Sequence, residues 1–380
     1  MRLSASPPRL DLESIAERVP FYRALWREHG LALSPNPPWD QIPILTKQHL
    51  RQATRSARLD RRFEHSANRS ECSGGSTGEP VETLIDPPSR RRRQWRFLKA
   101  LVHAGYRPGQ RLWIVSTHRP SRVNRLARWT YVDLREPEAD LAQRYLAERP
   151  QVLYGPLRAL LAMAERLPRG STPPLRALVA TAEQLGPQDQ RILLERFGIE
   201  AADFYGMTEI GLYAFRCAGD RQYRHAAPDI HSEFLPCKAD GKLERLIITT
   251  LGECAMPLIR YDTGDLVRRD HSTRGSPIVE FAGREIDSIQ LPGGGLISPY
   301  RLTLALESVP AITRYQVVQH EDLSLEVHVA AALDLDEALT RAVRAVTAVV
   351  GPELPVRGGA DFPPARPGEK FRPIRSYARR

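Results

Sequence analysis

The sequence is poor in cysteine and has no long apolar run. Four cysteines in 380 residues are too few for a disulfide framework, so we expect free thiols in a reducing compartment. The longest apolar runs, such as LRALLAMA at 157–164, are too short to cross a bilayer. The N-terminal stretch MRLSASPPRLDLES lacks the apolar centre of a secretory signal. These absences predict a cytoplasmic protein that does not contact membranes.

The net charge of +10 is of the kind that nucleic-acid-binding proteins carry. The excess is mostly arginine spread along the chain, and the one dense run, Arg90 to Arg93, opens a helix-like stretch. A solvated basic face is the prediction for this run. The alternative is a landing site for an anionic partner, such as a phosphorylated cofactor or an acidic carrier protein. We expect no nucleic-acid partner.

The middle of the chain alternates strand-like and helix-like segments. Short apolar runs at 111–116, 151–155, 175–181 and 202–206 are separated by helical patterns at 136–150, 156–168 and 186–198. This alternation predicts an α/β fold with a parallel sheet flanked by helices. Ligands of such sheets bind at the carboxyl ends of the strands. Three of these ends carry unusual residues: Tyr154-Gly155, Thr181-Ala182-Glu183, and Tyr205 to Glu209.

The pattern changes after residue 225. Strand-like segments separated by polar turns predict an antiparallel subdomain that ends near Gly283. A helix that begins after Ser298, two strands, a second helix and a proline-rich tail follow, and they predict a small mobile α+β domain. We therefore predict a large N-terminal domain over 1–283 and a small C-terminal domain over 284–380.

Two segments in the N-terminal domain have the residue types of a nucleotide site. In ECSGGSTGEPV (71–81), glycines allow backbone N–H groups to approach an anion and hydroxyls add donors, although a flexible linker explains this segment alone equally well. In DFYGMTEIG (203–211), Tyr205 suits stacking on a flat ring, Thr208 suits a phosphate, and Glu209 suits magnesium. The alternative is that Tyr205 is a core residue and Glu209 a surface residue.

Two further segments supply a carboxylate and a lysine. In YDTGDL, Asp265 follows Gly264 in a turn, where its carboxylate suits both hydroxyls of a ribose. An ordinary turn is the alternative. Lys370 lies in PGEKFRP on the tail of the small domain, where a lone lysine would normally be solvated.

In their order and spacing these segments resemble the adenylate-forming superfamily of acyl- and aryl-coenzyme A ligases. The resemblance is closest to the phenylacetate–coenzyme A ligase branch. It runs from about residue 20 to residue 375. The segments that carry it are IPILTKQHLR (42–51), CSGGSTGEP, LRALVATAEQLGP, FYGMTEIG, YDTGDL, GREID and GEKFR.

The resemblance implies a reaction in two halves, with ATP and Mg²⁺ as cofactors. A carboxylic acid displaces pyrophosphate from ATP to form an acyl-adenylate, and the acyl group then passes to an acceptor, first of all coenzyme A. Catalytic roles follow for Thr208 at the α-phosphate, Glu209 at magnesium, and Lys370, which a domain rotation brings to the carboxylate and nucleotide. The nucleotide-binding residues implied are Ser73, Gly74, Gly75, Ser76, Thr77, Gly78, Glu183, Gln184, Tyr205, Gly206, Asp265 and Arg284.

The acid pocket implied at the strand ends is apolar and aromatic, which suits an aryl or arylacetic acid. A medium-chain acyl group is the alternative. The predicted residues of the acid pocket are Tyr154, Gly155, Ala182, Met207 and Tyr213. The alternative acceptors are an acyl carrier protein, a cysteine of the enzyme, or an amine in a secondary-metabolite pathway. A homodimer is compatible with the sequence. A binding protein without turnover is disfavoured by the retained Thr208, Glu209, Asp265, Arg284 and Lys370.

The sequence departs from the family at three places. Ile286 occupies the position of a common hinge carboxylate in GREID, which leaves only Asp287, and Val81 replaces the lysine that often ends the phosphate loop. Of the four ligands in the zinc site of many relatives, only Cys217 and His225 have counterparts here, because the later cysteine pair is absent. Cys237 and Cys254 could substitute. Four ligands make a structural zinc site, so we expect free cysteines rather than bound zinc.

Overall fold

The computed structural model of the protein describes residues 8–34, 37–72, 81–116, 128–168, 170, 172–238, 241–309, 312–331, 334–359, 361–363 and 371–378. The predicted phosphate-loop residues Ser73 to Gly78 and the predicted catalytic Lys370 lie outside these ranges. Within them, no helix is long and apolar enough to cross a membrane. The chain forms two compact units, Arg93–Ala227 and a second made of Met1–Arg92 with Pro228–Arg380. The domain boundary at 283/284 stays a prediction.

The N-terminal part contains short helices and a two-stranded antiparallel sheet. Asp86 caps the long helix that follows the sheet, because its carboxylate accepts from the backbone N–H and the hydroxyl of Ser89, each at 2.7 Å. The same carboxylate accepts from the N–H of Ala255 at 2.9 Å. The elements are α1 Leu12–Arg18, α2 Pro20–Glu28, α3 Lys47–Gln52, α4 Arg55–Arg58, β1 Arg69–Cys72, β2 Glu82–Ile85 and α5 Pro87–His103.

A seven-stranded sheet forms the centre of the unit Arg93–Ala227. Its order is β4-β3-β5-β6-β7-β8-β9. The first five strands are parallel, and β8 and β9 extend the sheet in antiparallel fashion. The strands are β3 Leu112–Ser116, β4 Trp129–Asp133, β5 Val152–Pro156, β6 Ala177–Thr181, β7 Ala201–Met207, β8 Gly211–Arg216 and β9 Arg224–His225. The predicted parallel sheet is thus confirmed.

Helices cover both faces of this sheet. Trp113 and Val115 on β3 pack with the helices α6 Glu138–Glu148, α7 Leu157–Arg166 and α8 Pro187–Phe197. Ile114, between them in sequence, packs instead with Ala100 and Leu101 of α5. Successive strand residues point to opposite faces, so burial on both sides produces continuous apolar runs. This explains why the strands are recognisable as unbroken apolar segments.

The second unit carries the other sheets. As predicted, the strands after residue 225 form an antiparallel sheet, in the order β10-β11-β12-β13. The C-terminal strands form a second sheet in the order β18-β17-β16-β19, which packs with its helices around a separate apolar core, as expected for an α+β arrangement. The elements are β10 Ile230–Pro236, β11 Glu244–Thr250, β12 Tyr261–Arg269, β13 Ile278–Arg284, β14 Ile289–Gln290, β15 Leu296–Ile297, α9 Pro299–Glu307, β16 Ile312–Gln319, β17 Leu325–Ala331, α10 Leu335–Val350, β18 Val356–Gly358 and β19 Ile374–Ser376.

Arg260 attaches the N-terminal IPILTK segment to the antiparallel sheet. Arg260 is buried, with 6% of the residue exposed. Its guanidinium donates to the carbonyls of Trp39 at 3.1 Å, Asp40 at 3.3 Å and Ile42 at 2.6 Å. The carboxylate of Glu233 lies 3.0 Å from it and neutralises its charge. Three carbonyls and one carboxylate therefore depend on a single buried cation.

Asp203 is a buried carboxylate on β7. It is 6% exposed, accepts a hydrogen bond from the hydroxyl of Tyr223, and lies 3.6 Å from the guanidinium of Arg216. Burial raises the pKa of Asp203 from 3.8 to about 6, and the two partners only partly oppose this effect. The folded state therefore binds the Asp203 proton more tightly than the unfolded state does.

Replacing Arg260 by methionine should destabilise the protein by about 3–5 kcal/mol, because the variant leaves the buried carbonyl of Ile42 and the Glu233 carboxylate without their cation. Urea unfolding followed by circular dichroism measures the change. Arg268→Met is the matched control. The guanidinium of Arg268 lies 3.0 Å from the carboxylate of Glu280, and the Arg268 side chain is 40% exposed. Exposed ion pairs of this kind contribute less than about 1 kcal/mol to stability. Equal losses in the two variants would contradict the role given to Arg260.

Asp203→Asn should change how stability depends on pH. Because the folded pKa lies above the unfolded value, stability from Asp203 is fully present below about pH 4 and declines until about pH 6. The asparagine variant lacks this decline. Relative to wild type it should therefore gain about 3 kcal/mol of unfolding free energy between pH 4 and pH 7. Urea midpoints at closely spaced pH values test this, and a difference that stays constant across the range would refute it.

Candidate functional site

A three-residue hairpin turn carries the predicted catalytic Thr208 and Glu209. Met207 on β7 pairs with Gly211 on β8, and the N–H of Ile210 donates to the carbonyl of Met207 at 3.3 Å. Gly211 has φ +77°, the left-handed conformation typical of a three-residue hairpin with a bulge. The segment FYGMTEIG is therefore one strand end, one turn and the start of a returning strand.

Gly206 makes this turn sterically feasible. A Cβ atom added at Gly206 would lie 2.8 Å from the carbonyl oxygen of Gly211, which is a backbone atom and can move only together with its strand. Any side chain at 206 would therefore separate the two strands just before the turn. The sequence places Gly206 among the nucleotide-binding residues, and the structure gives it this additional role.

The predicted residues of the unit Arg93–Ala227 meet at the carboxyl edge of its sheet. Gly155 pairs with Ala180 across β5 and β6, and Thr181 pairs with Phe204 across β6 and β7. Ala182, directly after β6, has φ +73°, which is uncommon for a residue other than glycine and is concentrated at functional sites. Thr181 fixes this corner, since its hydroxyl donates to the carbonyl of Phe204 at 2.8 Å.

An ion pair holds the segment that follows β6, which contains the predicted nucleotide-binding residues Glu183 and Gln184. The carboxylate of Glu183 lies 3.6 Å from the guanidinium of Arg158 on α7, and the Glu183 side chain is 16% exposed. Leu185 is buried and Asp189 accepts from the N–H of Gly186 at 3.4 Å at the start of α8. Glu183 is thus placed at the end of β6 by a contact that the sequence did not indicate.

The aromatic residues of the predicted acid pocket belong to two clusters. Tyr154 packs edge-on against Phe97, with ring centroids 4.9 Å apart. Tyr205 is half-buried and packs edge-on against Tyr213 at 5.9 Å, while Tyr213 contacts the ring of His225 at 4.8 Å. Tyr213 has no exposed surface, so its contribution in this structure is to support Tyr205. The pocket assignments stay predictions.

Two arginines on α5, not selected by sequence reasoning, bind the turn. Arg93 donates to the carbonyls of Thr208 and Glu209, the former at 2.9 Å, and Arg96 donates to the carbonyl of Ile210 at 3.0 Å. The prediction of a solvated face holds for Arg90 and Arg91, which are exposed, and is wrong for Arg93. A basic run before an apolar helical pattern gave no signal for this contact, because the partners are more than 110 residues away.

The predicted ribose residues lie together in the second unit. Asp265 on β12 pairs with Arg284 on β13, and the guanidinium donates to the Asp265 carboxylate at 3.3 Å. The sequence predicts Asp265 in a turn, but it lies inside β12, where the pairing with β11 is irregular between Asp262 and Leu266. There Asp262 accepts from the N–H of Gly264 at 2.9 Å, and the hydroxyl of Thr263 accepts from the N–H of Asp265 at 3.1 Å. The carboxylate is thus held by an irregular segment of a strand.

The hinge motif GREID connects to the tail next to Lys370. Asp287 is 4% exposed and forms an ion pair with Arg372. Burial raises the pKa of Asp287, and Arg372 opposes this. The tail is fixed further by the side-chain amide of Gln316, which donates to the carbonyl of Arg372 at 2.8 Å. Ile286, the residue that departs from the family, is 47% exposed.

The described residues suit a magnesium ion better than a structural zinc ion. Glu209 is 8% exposed and supplies a carboxylate, and one carboxylate together with nucleotide phosphates is a common magnesium environment. No group of three histidine, cysteine or acidic side chains in the described part of the chain is arranged to hold an ion. Cys217 is a free, half-buried thiol whose pKa is raised by burial. Two residues, Cys217 and His225, do not supply the ligands of a structural zinc site.

Comparison with known proteins supports the family resemblance. No protein-family model matches the chain. A phenylacetate-coenzyme A ligase of Thermus thermophilus is 28% identical over 358 residues, covering 82% of this chain and 76% of the relative. A 2-hydroxyisobutyryl-CoA ligase in its postadenylation state has a TM-score of 0.74 at 18% identity and covers 97% of this chain and 88% of that chain. ATP-bound MatB from Rhodopseudomonas palustris has a TM-score of 0.59 at 18% identity, covering 82% and 67%.

The solved structures establish the fold, and the Thermus relative establishes similarity along most of the sequence. Both agree with the resemblance inferred from the order of the motifs. The chain is similar to a phenylacetate-coenzyme A ligase over most of its length and has the fold of the solved 2-hydroxyisobutyryl-CoA ligase and of MatB.

Proposed function

We propose that this protein is an AMP-forming acid–thiol ligase that converts a carboxylic acid to its acyl-adenylate and then to the coenzyme A thioester. The observation that carries the proposal is the turn at 208–210. It presents Thr208 and Glu209 at the edge of the sheet where Gly155 and Ala182 also lie. The name of the Thermus relative supports the same reaction.

The first half-reaction needs positioning and charge stabilisation more than covalent chemistry. The acid carboxylate attacks the α-phosphorus of ATP, a P–O bond to the new acyl group forms, and the bond to pyrophosphate breaks. Thr208 donates to the α-phosphate, and Glu209 would hold a magnesium ion, which when bound neutralises phosphate charge. Asp265 and Arg284 contact the ribose, while Glu183, Gln184 and Tyr205 contact the adenine. These roles follow the family resemblance.

Lys370 and the phosphate loop complete the proposal from sequence alone. The family resemblance gives Ser73 to Gly78 the ATP phosphates and Lys370 the bridge between the acid carboxylate and the nucleotide. A lysine suits this task because its ammonium is a compact charge on a flexible stem. The second half-reaction transfers the acyl group to the coenzyme A thiol, with AMP as the leaving group.

For the acid we propose an aryl or arylacetic compound. Tyr154 and Tyr205 supply aromatic surface near the predicted pocket, since Tyr154 packs against Phe97 and Tyr205 against Tyr213. Aromatic side chains suit a flat ring, which can stack on them or pack edge-on against them. A medium-chain acid, and a carrier protein or an amine in a secondary-metabolite pathway as acceptor, are the competing outcomes of the test.

A panel of carboxylic acids assayed by ATP–pyrophosphate exchange tests the first half-reaction. Arylacetic and aryl acids should support exchange more strongly than straight-chain acids of equal carbon number. The active acids are then incubated with ATP and coenzyme A, and the thioester is identified by mass spectrometry. Failure of every acid in the panel to support exchange would overturn the ligase assignment, whereas exchange without thioester formation would overturn only the choice of coenzyme A.

Replacing Lys370 by alanine should lower acid-dependent pyrophosphate release by about 10²–10³-fold, because the variant removes a positive charge from the developing negative charge of the transition state. Single-turnover release of labelled pyrophosphate measures the loss. Lys238→Ala is the matched control, since Lys238 is an exposed lysine on the same unit, and it should release pyrophosphate at the wild-type rate. Unchanged release in Lys370→Ala would remove Lys370 from the first half-reaction.

A further inference from the structure

The turn at 208–210 presents three consecutive backbone carbonyls to the helix α5. Such carbonyls have no ladder partner inside a hairpin turn, and Glu209 and Ile210 are 8% and 3% exposed. A buried carbonyl without a donor is unfavourable. Arg93 and Arg96 supply the donors for all three, at Thr208, Glu209 and Ile210. The conformation of the turn therefore depends on these guanidinium groups.

The geometry of Arg93 is specific to arginine. One terminal nitrogen of its guanidinium donates to the carbonyl of Thr208 and the other to that of Glu209. A planar guanidinium can hold two adjacent acceptors at a fixed separation, whereas a lysine ammonium offers a single point charge. The contact consequently sets the orientation of two consecutive peptide groups, and with it the backbone that carries both side chains.

Gly211 allows the arginine to approach. A Cβ atom at Gly211 would lie 3.1 Å from Cγ and 3.2 Å from Cδ of Arg93. The same glycine adopts the left-handed conformation that closes the turn. One position thus serves both the turn and the arginine, so that the two features form a single packed unit.

We propose that Arg93 is a positioning residue for Thr208 and Glu209, supported by Arg96. This inference rests on the proposed function, since it concerns the side chains assigned to the α-phosphate and magnesium. By holding the turn from behind its carbonyls, Arg93 keeps both side chains in place before the nucleotide binds. The two side chains then need not reorganise during the reaction. In a mechanism based on positioning, most of the rate enhancement comes from avoiding such reorganisation.

The first test compares Arg93→Met with Arg91→Met. Arg91 belongs to the same basic run and is exposed, so the control removes the same charge without touching the turn. Arg93→Met should lower the kcat of ATP–pyrophosphate exchange about 10–100-fold and raise the Mg²⁺ concentration for half-maximal activity several-fold, with the KM for the acid within about 2-fold of wild type. Arg93→Lys should fall between wild type and Arg93→Met. Equal kinetics for Arg93→Met and Arg91→Met would overturn the proposal.

A double-mutant cycle separates positioning from general damage. If Arg93 acts through the turn, its replacement should matter little once Glu209 is already disabled. Arg93→Met should therefore cost less than about 3-fold in a Glu209→Gln background. Full additivity of the two losses would show that Arg93 acts elsewhere, and it would overturn the positioning role.

Hydrogen exchange tests the contact independently of catalysis. The peptide that spans 207–212 should exchange its amide protons several-fold faster in Arg93→Met than in Arg91→Met, while the strands of the sheet exchange alike. If no acid supports pyrophosphate exchange by the wild-type protein, the proposed function fails. The hydrogen-exchange result then still shows whether Arg93 stabilises the turn. Faster exchange in Arg93→Met supports this role of Arg93, and equal exchange in the two variants overturns it.

Discussion

The close approach of two backbones at Gly206 and Gly211 is the constraint on which the candidate site depends. A side chain at 206 would collide with the backbone of Gly211. Because Gly206 has none, β7 can reverse within three residues and continue as β8. The reversal adds an antiparallel edge to a parallel sheet, and it fixes Thr208 and Glu209 at the carboxyl end of β7. The contact between Tyr205 and Tyr213 follows from the same pairing, as does the access of Arg93 to the turn.

Alternation of apolar and helical segments was sufficient to predict the sheet from the sequence. Strands covered on both faces must be apolar throughout, and the helix α8 is marked by Pro187 at its start and by Gly198 just after its end. The edge strand β4 and the strand β8, which lies between β7 and β9, escaped prediction. β4 is only partly buried and reads as mixed polarity, and β8 follows its turn without the proline or aspartate that marks most loops.

The arginine contacts were beyond reach of the sequence for a different physical reason. An arginine looks the same in the sequence whether its guanidinium meets water or a distant carbonyl. Arg260 illustrates this well, because its partners at Trp39, Asp40 and Ile42 are about 220 residues away. The motif IPILTK was recognisable by resemblance, whereas its attachment through Arg260, the residue before β12, has no counterpart in the sequence pattern. Long-range polar contacts carry no periodicity, so pattern reasoning has nothing to detect.

The departure at the hinge can be weighed from the surroundings of its two residues. Ile286 is half exposed, so a change of residue type there removes no buried partner. Asp287 is buried and paired with Arg372, two positions after Lys370, and loss of either partner would leave a charge in a poorly hydrated place. The structural requirement of the motif therefore rests on Asp287, which the sequence retains. An isoleucine at 286 is accordingly compatible with a hinge whose connection to the tail runs through Asp287 and Arg372.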